Sequence, residues 1–164
     1  MMLIILRAES YNTPAYESYL KGCTNFVSQY LVAGGKNMVK PSNYEDLGSM
    51  YGTTSYWYSM HWTEISPYHR YAVSSSFVNV GDFFTYWKTR GGLVTTGLSK
   101  SQLQSKAKKG DIVQLKKDGS WYHSIIITSG TTGNWNYCGH TSNRKDKPIS
   151  AITEATEYRI LRFA

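Results

Sequence analysis

The sequence is short of the features that usually place a protein quickly. Its 164 residues hold two cysteines, Cys23 and Cys138. Two are too few for a disulfide framework, and no CxxC spacing is present to hold zinc. No apolar run approaches the ~20 residues needed to cross a bilayer, so no membrane span is expected. The opening "MMLIIL" is about half of a signal-peptide core and lacks a basic start and a small-residue cleavage site. A domain of a longer protein, or one released by another route, is expected. Zinc-finger and RNA-recognition signatures are absent. The net charge of +7 therefore predicts attraction to polyanions in general, without a nucleic-acid partner. There is no internal repeat and no low-complexity linker.

What is present suits one folded domain over 1–164, with residues 1–10 either an edge strand or sequence foreign to the domain. Hydrophobic residues make up 41% and charged residues 18%, which excludes a disordered chain. Aromatics reach 15%, with 14 Tyr and 5 Trp, a composition suited to grooves for glycans or peptides. They crowd into "SMYGTTSYWYSMHWTEISPYHRY", which has no sustained period and reads as long loops lining a site. Trp57, His61, Trp62 and Tyr68 are the substrate-binding candidates there, with simple packing as the alternative for each.

Local signals then order the chain. Thr13, Pro14 and Gly22 bracket a short helix. "CTNFVSQYLVAGG" follows, with Phe26, Val27, Tyr30 and Leu31 as its apolar stripe and Gly34-Gly35 as its stop. Phe77, Val80, Phe84 and Trp87 mark another helix, capped by Ser75 or Ser76. Ser99 and Gln102 have the capping-box spacing. From Gly110 the pattern becomes β. "DIVQL" and "WYHSIIITSG" flank the hairpin signal Asp118-Gly119, and "GNWNYCGHT" and "TEYRILRFA" supply two more strands. Helices first and an antiparallel sheet after them predict an α+β fold.

Among four histidines, His123 stands out. Strand alternation puts it on one face with Ile125 and Ile127. Most histidines so placed are satisfied core or rim residues. Cys23 gives this one a second meaning. A thiol at a helix N-terminus lies in roughly half a positive charge, which favours the thiolate. A nearby imidazole can take the thiol proton, and a third polar group can hold that imidazole. His140 and Asn143, in "HTSN", are the candidates for that third place. A metal site from Cys138, His140 and His123 matches no common zinc spacing, so Cys138 reads as a buried thiol.

The ordered motifs "CTNFVSQYLVAGG", "GDIVQL" leading to "HSIIITSG", "HTSNRKDKP" and "YRILRF" resemble the putative amidase domain family, with "SSSFVNVGDFFTYW" similar to its middle helix. That family is similar to the CHAP and NlpC-type cell-wall hydrolases. The resemblance implies a papain-like fold, Cys23 as nucleophile, His123 as general base, and His140 or Asn143 as the orienting residue. It implies a cysteine amidase or endopeptidase acting on peptidoglycan, as a lysin or autolysin module at the bacterial wall. Anionic wall polymers are implied as further partners. The alternatives are a papain-like protease or deamidase acting on proteins, and a silent wall-binding module. Gly22 departs from the family, which often has Asp before the nucleophile. The acidic loop that carries calcium in some CHAP domains is absent, so no metal or other cofactor is expected.

Overall fold

The structure, a computed structural model, describes residues 22–61, 71–140 and 144–163. The helix expected from Thr13 and the edge strand expected before it lie outside these residues, as do Trp62, Tyr68 and Asn143. The fold is α+β, and the chain divides into two compact units between Tyr86 and Trp87.

Among the described residues the first unit begins with helix α1, Cys23–Ala33, which ends where the backbone N–H groups of Gly34, Gly35 and Lys36 return to the carbonyls of Tyr30, Val32 and Leu31. Its buried stripe runs Thr24, Val27, Ser28 and Leu31, spaced i, i+3, i+4, i+7. The expected stripe is thus rotated: Phe26 and Tyr30 are only half-buried, and two hydroxyl residues take core positions. Ser28 is tolerated there because it is fully satisfied. Its Oγ donates to the Phe77 carbonyl at 2.7 Å and accepts the Trp57 indole N–H at 3.2 Å.

A 3-10 turn at Tyr44–Leu47 precedes a small sheet not expected from sequence, with strands β1 (Met50–Tyr51), β2 (Ser59–His61) and β3 (Tyr71–Ser74). β3 is central, parallel to β1 and antiparallel to β2. The helix expected around Phe77 is two helices, α2 (Ser75–Val78) and α3 (Val80–Trp87), and the cap of the first is Ser74. Asn79 causes the break. Its backbone is extended (ψ 134°), and its Oδ1 accepts the N–H groups of Gly81 and Asp82, capping α3.

The second unit is a six-stranded sheet, all of its pairs antiparallel, in the order β4-β9-β5-β6-β7-β8. Its strands are β4 (Leu93–Leu98), β5 (Ile112–Lys117), β6 (Ser120–Thr131), β7 (Asn134–Gly139), β8 (Arg144–Pro148) and β9 (Glu157–Arg162). The four expected strands form its centre, and β4 and β8 are added edges. Asp118 and Gly119, both at positive φ (50° and 78°), turn β5 into β6. Helix α4, Lys100–Lys106, starts at the expected capping box: Ser99 accepts from the Gln102 N–H and Gln102 accepts from the Ser99 N–H.

One face of the sheet carries Val113, Leu115, Ile125, Ile127, Tyr137, Tyr158 and Ile160, packed with Leu103 of α4 and Ile149. The other face carries Ile112, Gln114, Ser124, Ile126, Cys138, Arg159 and Leu161, and these are buried too. Two buried faces explain why β6 reads as a continuous apolar run. Among the described residues no helix is long and apolar enough to cross a membrane.

Candidate functional site

Cys23 is the first residue of α1. Gly22 precedes it with φ −67° and ψ 7°, and the first helical bond runs from the Phe26 N–H to the Gly22 carbonyl at 2.9 Å. The Cys23 N–H therefore lies ahead of the helix ladder, at the positive end of the dipole. No acidic side chain stands in the first turn to offset that field. An Asp at position 22 would add one, and Gly22 does not. Cys23 is 4% exposed, and its Sγ lies 3.9 Å from Thr24 Oγ1.

His123 lies on β6 opposite Leu115, on the face predicted for it, with Ile125 next along that face. It is half-buried, at the rim of the core rather than within it. Immediately before it the register slips. Leu115 pairs with His123 but Lys116 pairs with Trp121, so Tyr122 is an extra, bulged residue. The bulge turns Trp121 to the opposite face, and the Tyr122 ring stacks beside the imidazole at 6.0 Å with 19° between planes. The far edge of the imidazole, Nε2 and Cε1, faces Gly139 at the end of β7.

His140 is half-buried and follows β7 directly. Cys138, two residues earlier, pairs with Ile126 and so lies on the face away from His123. Among the described residues no group of three or more His, Cys, Asp and Glu could hold a metal ion. Trp57 presents no surface to a ligand: it is 0% exposed, packed on Phe77 at 4.9 Å and bonded to Ser28. His61 is the last residue of β2.

Sequence reasoning missed the polar groups that fasten the motifs to one another. Arg159 of "YRILRF" is 6% exposed and donates from Nε to Gln114 Oε1 at 2.7 Å. Gln114, in "GDIVQL", donates onward to Ser124 Oγ of "HSIIITSG" at 3.2 Å. The guanidinium lies 3.9 Å from the Trp121 ring centroid, and burial pulls the Arg159 pKa down to about 10, so it stays charged at neutral pH. A second arginine ties the same two segments. Arg162 donates from Nε and a terminal nitrogen to both carboxylate oxygens of Asp111, each at 2.7 Å. The partners are 45 and 51 residues apart, which no local pattern reveals.

The family model described as Putative amidase domain matches residues 7–162, nearly the whole chain. No curated protein matches it.

Proposed function

Because the chain belongs to the putative amidase domain family, and is thereby a hydrolase domain acting on amides, we propose that it is a cysteine-dependent peptidoglycan hydrolase of papain-like type. The observation that carries this reading is Cys23 as the first residue of α1, with its backbone N–H ahead of the helix ladder and no acid in the first turn.

His123 takes the thiol proton. The Cys23 sulfur attacks the amide carbonyl carbon, and the Cys23 N–H helps hold the oxyanion. The tetrahedral adduct collapses, the C–N bond breaks, and the amine leaves with the proton from the imidazolium. Water, deprotonated by His123, then cleaves the thioester. The net change is amide plus water to carboxylic acid plus amine. The Nε2 edge of His123 faces β7. The third place, holding that imidazole, goes to His140 or Asn143.

The substrate is an amide bond of the bacterial wall, cut as by an N-acetylmuramoyl-L-alanine amidase or an endopeptidase. The protein acts as the catalytic module of a lysin or autolysin. The net charge of +7 supports an anionic wall as its surface, and Lys106, Lys108, Lys109, Lys145 and Lys147 are all exposed. The test is digestion of purified Gram-positive peptidoglycan at neutral pH with reductant, counting new amino groups. Release by the wild type, lost in Cys23→Ala, is expected. No release, or equal release by Cys23→Ala, contradicts the proposal.

A further inference from the structure

We propose that Gly139 is a positioning residue that sets the imidazole of His123. Among the described residues eight glycines have positive φ, where a side chain would strain the backbone, and Gly139 is not one of them. What the site withholds from a side chain is space. A Cβ at 139 would stand 3.1 Å from Ile125 Cγ2, 3.3 Å from His123 Nε2 and 3.8 Å from His123 Cε1.

The arrangement follows from register. Ile126 pairs with Cys138, which brings Gly139 level with Ile125 on the face that also carries His123. The bulge at Tyr122 precedes the histidine on one side, and the bare Cα of Gly139 receives the far edge of its ring on the other. Any side chain at 139 must push the ring, the Ile125 methyl or both. Ile125 is 0% exposed in the packed core and yields little, so the half-buried ring moves. Displacing a catalytic group by a fraction of an ångström lowers the rate without altering substrate binding.

This inference rests on the assignment of His123 as general base, and the experiment separates the two. The variants are Gly139→Ala, Gly139→Ala/Ile125→Leu and His123→Ala. Ile125→Leu removes the branched methyl that a new Cβ at position 139 would press, while leaving the histidine contact in place. The readouts are the His123 ring 15N resonances and their pH titration, thermal stability, and kcat and KM for a soluble muropeptide. In Gly139→Ala the His123 resonances move, kcat falls about 10-fold and KM stays within about 2-fold. Ile125→Leu in that background restores stability but neither the resonances nor kcat. Unmoved His123 resonances, or recovery of kcat together with stability, overturn the positioning role. Wild-type kcat in His123→Ala overturns the base assignment instead, and the positioning role with it.

Discussion

Removing either partner of the Asp111–Arg162 pair is expected to destabilise the protein, and unequally. Asp111 Oδ1 and Oδ2 each accept from Arg162 at 2.7 Å, and Oδ2 also accepts the Lys108 N–H at 2.7 Å. The side chain of Asp111 is 2% exposed and that of Arg162 is 33% exposed. In Arg162→Ala the carboxylate stays buried with its cation gone, which costs about 4 kcal/mol. In Asp111→Ala the arginine can turn a partly exposed guanidinium to water and keep its bond to the Lys106 carbonyl, so the cost is about 2 kcal/mol. For a chain of this length these correspond to Tm losses of about 8–16 °C and 4–8 °C. The double variant should cost no more than Arg162→Ala alone, a coupling of about 2 kcal/mol. Urea denaturation of the four proteins measures all three quantities. Equal single costs, or additive ones, would refute the burial argument.

Ser28→Ala takes the acceptor from the Trp57 indole and the donor from the Phe77 carbonyl, both in the core of the first unit, and should cost about 2 kcal/mol in urea denaturation. Tyr158→Phe should behave oppositely. The Tyr158 hydroxyl is buried with no hydrogen-bond partner among the described residues, so its loss should leave stability unchanged or raise it by up to about 1 kcal/mol at neutral pH. Burial first, then Tyr122 and Tyr137 nearby, push the Tyr158 pKa up to about 12. A raised folded-state pKa gives stability that is complete below the ordinary tyrosine value and is lost as pH rises toward 12. Thermal melts between pH 9 and 12 should therefore fall more steeply for the wild type than for Tyr158→Phe; parallel curves would contradict this.

The features legible in the sequence were the local ones. Ser99 with Gln102 and Asp118 with Gly119 need only neighbours within a few residues. The alternation that aligns His123 with Ile125 is a property of one strand. The putative amidase resemblance rested on motif order, and the match over residues 7–162 bears it out. Features that depend on distant partners were hidden. Thr24 and Ser28 look polar, yet they occupy the core stripe of α1, Ser28 because Trp57 and Phe77 satisfy it. β1 and β2 have two and three residues, too few to show a period. β4 is exposed along most of its length, so no alternation marks it. The bulge at Tyr122 exists only against β5. The same limit hid the space beside Gly139, which the packing of His123 and Ile125 defines.

The proposed activation of Cys23 by His123 has a control in the second cysteine. Cys23 and Cys138 are both free and nearly equally buried, 4% and 7% exposed. Burial alone therefore predicts similar, slow alkylation of the two thiols. Peptide-resolved mass spectrometry after timed iodoacetamide treatment of the folded protein measures both rates at once. Activation by His123 predicts that Cys23 reacts at least about 10-fold faster than Cys138, and that His123→Ala removes the difference while leaving Cys138 unchanged. Equal rates in the wild type, or a fast Cys23 that ignores His123→Ala, would contradict it.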